Sequence, residues 1–183
     1  MHLHRKDYHV WDVDINTARH LVEELHYARG ASNTATYLHG LFDIKGQCLG
    51  AAWWIPPTKA AALATFPSNW KGVLALSRLV VDPTVPTNGA SFLLGASMRL
   101  IDRRRWPCLV TYADEWRGHK GQIYRATNWR YIGLTKPEPV YVRAGVMMGR
   151  KRGPKTLTHQ QMLDLGFQFM GRHPKHKFVH EVA

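Results

Sequence analysis

Cysteine is scarce in this chain: Cys48 and Cys108 are the two among 183 residues. Both lie in apolar, strand-like runs, where a thiol behaves as a small buried hydrophobe. Free buried thiols are therefore expected, and a disulfide framework is not. No CxxC pair and no HExxH occurs, which removes the familiar zinc motifs. Eleven scattered histidines leave a metal undecided, and His173 and His176 sit in a basic tail. Long apolar runs are missing as well. None approaches the roughly 20 residues of a membrane span, and the opening MHLHRKDYHVWDVD lacks the apolar centre of a signal peptide. No membrane association and a cytoplasmic location are expected. Acid is the third shortage: 13 Asp and Glu stand against 25 Lys and Arg, for a net charge of +12.

Such an excess attracts anionic partners at long range. It is also uneven. Arg99, Arg103, Arg104 and Arg105 crowd one helix end, and Arg150, Lys151, Arg152 and Lys155 form a second cluster. A solvated surface is the bland alternative. Two clusters, together with Arg117, Lys120, Arg125 and Arg130, favour nucleic acid. The length and a 45% hydrophobic content suit one domain over 1–183, with a basic segment around 150–177.

Periodicity outlines the elements. Asp14 or Asn16 caps a helix running to about His26, with Ala18, Leu21, Val22 and Leu25 on one face. A polar turn, His26 to Gly30, follows. Tyr37 to Asp43 and Cys48 to Ile55 read as strands joined by Lys45-Gly46, and Pro56-Pro57 ends the second. After an alanine-rich insert, Val73 to Val81 is a strand. Asn88-Gly89 opens an apolar helix (Phe92, Leu93, Leu94, Ala96, Met98) that needs a sheet to pack on. Further strands are expected at Cys108 to Tyr112, Val140 to Val146 and Phe178 to Val182, with helices at Gly121 to Thr127 and Thr158 to Leu165. The pattern, β-α-β-β-β-α-β-α-β with a tail, predicts an α/β class fold (α+β in detail) around one mixed sheet.

Three constellations carry possible chemistry. In VTYADEWRGHKGQIYRATNWRYIG, Val110 to Gly133, Asp114 ends a strand and Tyr124 falls in a helix. A strand end beside a helix start is a usual α/β site. A helical tyrosine beside a cleft can protonate a leaving thiolate or alkoxide, and the carboxylate can orient or deprotonate an amine. Taken singly, a core tyrosine and a turn cap explain them equally well. Arg78 interrupts the apolar strand Leu74 to Val81; it either faces solvent or lines a cleft as a fork for phosphate or carboxylate. The loop Pro86 to Ser91 would turn backbone N–H groups outward at a helix start, which suits phosphate, although Asn-Gly there is often only a turn.

These residues resemble a known superfamily. Asn88-Gly89-Ala90-Ser91-Phe92-Leu93-Leu94 looks like a degenerate pantetheine-binding motif of the GNAT acyltransferases, and Ile123 to Trp129 looks like their tyrosine-bearing helix, with Asn128-Trp129 in place of Gly-Phe. More specifically, Leu76-Ser77-Arg78-Leu79, Tyr112-Ala113-Asp114, Gly118-His119-Lys120-Gly121 and Ile123-Tyr124 are together similar to the Mom proteins of Mu-like phages. Pro56-Pro57 and Pro174-Lys175-His176-Lys177-Phe178 look alike too.

The resemblance implies a GNAT-like single domain, a central mixed β-sheet flanked by helices. It implies an enzyme that transfers an acyl-type (carbamoylmethyl or acetamido-like) group to the N6 amine of adenine in phage DNA, in the host cytoplasm, protecting that DNA from restriction. Tyr124, Asp114, Arg78 and the His26-Tyr27 pair carry over as catalytic, and Asn88, Gly89, Ala90 and Ser91 as donor-binding. Arg117, Lys120, Arg125, Arg150, Lys151, Arg152 and Lys155 would hold DNA, with Trp54 and Trp116 foremost among the tryptophans that could stack on a flipped base. The loop departs from Gln/Arg-x-x-Gly-x-Gly/Ala, since Pro86 replaces the first residue and Ser91 the last. Both acyl-CoA and an aminoacyl-tRNA therefore stand as donors, and a homodimer stands among the oligomeric options. Two rival functions remain: a conventional acetyltransferase of a protein or small amine, and a nucleic-acid-binding protein without catalysis.

Overall fold

A computed structural model describes residues 3–152 and 155–181, with only the backbone of Arg152. The chain opens with β1 (Tyr8–Asp12) and α1 (Ile15–Leu25). Asp14 is the cap of α1: its Oδ1 accepts the N–H groups of Asn16 and Thr17 at 2.9 and 3.0 Å. β2 (Tyr37–Asp43) and β3 (Cys48–Ile55) form the expected hairpin. The alanine-rich insert becomes α2 (Lys59–Leu63) and a 3-10 segment, Pro67–Gly72. Then come β4 (Val73–Val81), α3 (Gly89–Leu100), β5 (Cys108–Asp114), a 3-10 turn at Glu115–Arg117, α4 (Gln122–Ala126) and β6 (Arg130–Leu134). The remainder is β7 (Glu138–Arg143), β8 (Val146–Met148), β9 (Lys151–Arg152), β10 (Lys155–Thr156), α5 (His159–Asp164), β11 (Gln168–His173) and β12 (Lys175–Glu181).

Seven strands form one mixed sheet in the order β1-β2-β3-β4-β5-β12-β6, antiparallel throughout except for β4 against β5. Helices cover both faces. Successive strand residues point to opposite faces, so neighbouring Trp53 and Trp54 diverge. Trp53 joins Ala18 and Val22 of α1, and Trp54 joins Leu93, Leu94 and Met98 of α3. Both indoles are fully buried and both are satisfied: Trp53 Nε1 donates to the Thr34 carbonyl at 3.1 Å and Trp54 Nε1 to Ser97 Oγ at 2.8 Å. The Ser97 hydroxyl in turn meets His39 Nδ1 at 2.7 Å. Truncating Ser97 to alanine would orphan two buried groups. A loss of about 1–3 kcal/mol is expected for such groups, and a denaturant titration of S97A checks it.

Several elements differ from the expectation. The strand that opens the expected pattern, given no bounds, is β1, and β6 was not expected; these two are the sheet edges, and all of β6 but Gly133 is exposed. The single strand expected at Val140 to Val146 is a hairpin, β7–β8, turned at Ala144 and Gly145 with φ of 49° and 76°. Two successive positive φ values are what a two-residue hairpin turn requires. β11 completes a separate three-stranded sheet on β7. β5 runs on to Asp114, and β12 begins at Lys175, with Val182 outside the described residues.

Two irregularities build the cleft. β4 and β5 pair only over Val73–Ala75 and Cys108–Val110; beyond that the strands part. The register of β3 on β4 also slips, Trp53 facing Arg78 and Trp54 facing Leu76, which leaves Ser77 as the extra residue of a β-bulge. A bulge inverts side-chain parity. Leu74 and Leu76 point to the α3 face, whereas Val80 points to the α1 face. Arg78 keeps step with Val80 and so leaves the apolar core.

Candidate active site

The parting of β4 and β5 opens a cleft of about 530 Å³. Its walls are β4 from Leu76 to Val81, β5 from Thr111 to Ala113, the end of α1 with His26 and Tyr27, and Gly118 to Tyr124. Arg78 lines this cleft rather than facing bulk solvent. Its Nε donates to the Gly30 carbonyl at 2.7 Å and its Nη1 to the Ser77 carbonyl at 2.6 Å. The guanidinium thus ties the His26–Gly30 turn to the bulge.

Asp114 ends β5, buried, with its carboxylate toward that turn. Tyr27 Oη donates to Asp114 Oδ2 at 3.4 Å, a long contact of the sort that tightens when substrate arrives. The carboxylate makes no cap for the 3-10 turn that follows. Burial, and then the Asp114 charge, push the Tyr27 phenol up to about 12, so it stays a proton donor. Arg117 lies over the Tyr27 ring at 5.1 Å and over Trp116 at 4.7 Å. His119 meets Tyr27 edge-on at 5.6 Å.

His26 stacks on Tyr27 with centroids 4.2 Å apart. Burial, then the nearby Arg78, His119 and Arg117, pull its imidazole down to about 4. It is neutral near pH 7. Nδ1 accepts the Ala28 N–H at 3.1 Å, so the proton belongs on Nε2. His26 is thus an N–H donor in its neutral form, not an acid–base group near neutrality. A sign follows for stability. Between the ordinary 6.5 and about 4 the unfolded chain binds a proton at His26 that the folded chain does not. Stability falls as pH drops through that window. H26Q is expected to lose less melting temperature than the wild type between pH 7.5 and 5. Equal losses would reject a buried neutral His26.

Tyr124 rises from α4, which begins after Gly121. Its ring packs on Phe178 and Trp129 at 5.2 and 5.8 Å. Burial pushes the phenol up, against a hydrogen bond with Thr111 that pulls it down. The Thr111 hydroxyl donates its proton to the Leu76 carbonyl at 3.3 Å, across the split. Ser77 Oγ lies in the cleft wall, buried and without a partner.

Arg78, Tyr124, His26 and Tyr27 therefore share one cleft, with Asp114 at its rim. Ala90 is the only residue of the Asn88–Ser91 loop in its lining. Asn88 Oδ1 accepts the Leu3 N–H at 2.6 Å, and Ser91 Oγ turns back to the Asn88 carbonyl at 2.9 Å. Gly89 is needed for packing, since a Cβ there would stand 2.3 Å from Val85 Cγ1. An extended acyl arm fits the unpaired β4 edge from Leu79 to Val81 and Ala90, and such a donor supplies an activated carbonyl. A diphosphate at the start of α3 would have to displace the Leu3 contact.

Trp54 cannot stack on a base: it is sealed beneath α3, because both sheet faces are covered. Trp129, 4% exposed and stacked on Trp54, is excluded likewise. Trp116 is half-buried beside Arg117, next to the cleft and outside its lining. Lys120 is exposed at the cleft mouth, and Arg125 lies over the rings of Tyr131 and Phe178 at 5.0 and 5.5 Å. Arg150, Lys151 and Lys155 belong to the β9–β10 hairpin or its base, away from the lining; the Arg152 side chain lies outside the described residues. Sequence reasoning gave no role to Ser77, Thr111 or His119. A polar pair, Ser77-Arg78, breaking an apolar strand was the one available signal.

A family model described as the Mom protein family matches residues 7–172. A relative named methylcarbamoylase mom, from Escherichia phage Mu, is 27% identical over 135 residues, covering 70% of this chain and 54% of the relative. The chain thus spans about half the length of that relative. Among solved structures, a GNAT family acetyltransferase of Elizabethkingia anophelis with acetyl-CoA bound superposes with a TM-score of 0.59 at 10% identity, covering 97% of this chain and 100% of that one. A GCN5-related N-acetyltransferase of Kribbella flavida gives 0.59 at 13% identity, over 98% and 100%. At such identities these likenesses establish the GNAT fold.

Proposed function

The chain belongs to the Mom protein family, and from that membership we propose that it is a DNA-modifying transferase, moving an acyl-type group from an acyl donor to the N6 amine of adenine. The observation that carries this reading is a protonated phenol, Tyr124, in the lining of the cleft opened between β4 and β5, with a buried carboxylate, Asp114, hydrogen-bonded to Tyr27 of the same lining. The name of the phage relative points to the same class of transfer, and the modified DNA would resist restriction.

The N6 lone pair is delocalised into the ring, so the amine is a poor nucleophile, and in duplex DNA it is paired and stacked. Extrusion of the base costs a few kcal/mol. Lys120 and Arg117, at the mouth, would hold the flanking phosphates. Asp114 orients the amine and takes its proton as nitrogen bonds to the donor carbonyl carbon. The oxyanion so formed is held by groups around the bulge, including the free hydroxyl of Ser77 and the Nε2–H of His26. As the bond from that carbon to the leaving sulfur or oxygen breaks, Tyr124 gives the leaving atom its proton. Solvent then returns the proton from Asp114 to Tyr124. Arg78 acts through the turn that it anchors. The donor is an acyl-CoA, as in the acetyl-CoA-bound neighbour, or an aminoacyl ester; the open β4 edge accepts an extended arm of either.

The test is mass spectrometry of nucleosides from a plasmid co-expressed with the protein. A new adenosine adduct is expected with the wild type and not with D114N. No adduct, together with acetyl-CoA turnover on a small amine, would replace this reading by that of a conventional acetyltransferase. No adduct with DNA binding retained would leave a binding protein.

A further inference from the structure

The cluster Arg103 to Arg105 has no part in the cleft. It lies at the opposite end of β5, where β4 and β5 are still paired. Seven residues of β5 separate the two ends, about 20 Å at about 3.3 Å per residue. There Arg105 Nη1 donates to the Lys71 carbonyl at 3.1 Å, joining the α3–β5 loop to the 3-10 segment. The half-buried Trp70 of that segment packs against the buried cluster that includes Ala62, Val73 and Cys108. Two ammonium groups stand over its ring, Lys59 at 5.4 Å and Lys71 at 5.7 Å. Arg105 covers Trp106 at 4.4 Å, and Arg104 is exposed alongside.

Among the described residues no carboxylate pairs with any of these cations. The ion pairs among the described residues are His39–Asp12, Arg130–Glu181 and Lys175–Glu138. Asp102, the nearest acid in sequence, uses its Oδ1 on the backbone N–H groups of Arg104 and Arg105. Two lysines held over one indole repel each other, and a cation–π contact at an exposed site returns only about 0.5–1 kcal/mol each. An anion bound beside them offsets the repulsion. Once phosphates draw the lysines aside, the ring becomes a stacking platform. A duplex offers no base faces to such a platform; an unpaired strand does.

We propose that this end of the molecule is a second nucleic-acid-binding surface, which takes an unpaired strand by phosphate contacts to Lys59, Lys71, Arg104 and Arg105 and by stacking of a base on Trp70. It acts apart from the cleft chemistry and does not depend on it. A fluorescein-labelled oligothymidine of twelve nucleotides is the probe, because it has no adenine for the cleft. Binding is measured by anisotropy at several salt concentrations for the wild type, for K59E with K71E, and for K45E with K136E, two exposed lysines outside both the cleft and this surface. Both double variants change the net charge equally. The first is expected to bind at least about ten-fold more weakly, with a salt slope flatter by about 1.4, since two contacts contribute about 0.7 each on a single strand. The second is expected to stay within about two-fold of the wild type. W70F, which keeps the core contact, should weaken binding less than K59E with K71E and leave the salt slope unchanged. Equal weakening by the two double variants would reduce the effect to net charge and overturn the proposal, as would a wild type that does not bind the probe at low salt. Adenine modification is scored separately, so either result stands without the other.

Discussion

Replacing Tyr124 by phenylalanine is expected to lower adenine modification by at least about 100-fold, the lower end of what a positioned general acid contributes. The substitution removes one oxygen and keeps the ring that packs against Phe178 and Trp129. The lost hydroxyl gives up its hydrogen bond with Thr111, worth about 1 kcal/mol, or about 2–4 °C in melting temperature for a chain of this size. DNA affinity should not move, because the phenol lies inside the cleft and the cationic side chains stand at its mouth. Nucleoside mass spectrometry, a thermal melt and a DNA titration on the same preparation separate these effects. Adduct levels equal to the wild type would remove Tyr124 from the mechanism.

The second large effect is on stability. Gly121 precedes α4 with φ of +72°, and a Cβ there would lie 2.3 Å from Phe178 Cε2 and Cζ. Phe178 is fully buried and cannot retreat. G121A combines a left-handed backbone, about 1–2 kcal/mol, with overpacking, about 1–3 kcal/mol. A drop in melting temperature of roughly 10 °C is expected. Gly118 is the internal control. Its φ is +73° with nothing within 4 Å, so G118A carries the backbone term alone and should fall by only about 2–8 °C. Equal melting temperatures would show that contact with Phe178 is not what demands glycine at 121. Because Phe178 also supports the Tyr124 ring, G121A should lose modification activity even where it remains folded.

Local periodicity determined much of this protein. The hairpin of β2 and β3, the Asp14 cap, the apolar α3 and the ends of β4 depend on neighbouring residues, and all were legible. So were the positions of Asp114 at a strand end and Tyr124 in a helix, because a strand end followed by a glycine-bounded helix is a local pattern. The bounds of the edge strand β1, and the edge strand β6 altogether, were not, since an edge needs no apolar run to be held by its one neighbour. The role of Arg78 was undecidable from the strand itself. Parity along an unbroken β4 would put it on the α3 side with Leu74 and Leu76; the bulge at Ser77 sends it to the α1 side and the Gly30 carbonyl. Likewise Trp53 and Trp54 were indistinguishable until helices were seen on both faces, which buries both and leaves neither for a base. Register, bulges and the parting of β4 from β5 are set by contacts between segments far apart in the chain. They decided where the cleft opens and which side chains enter it, and no stretch of sequence carries that information alone.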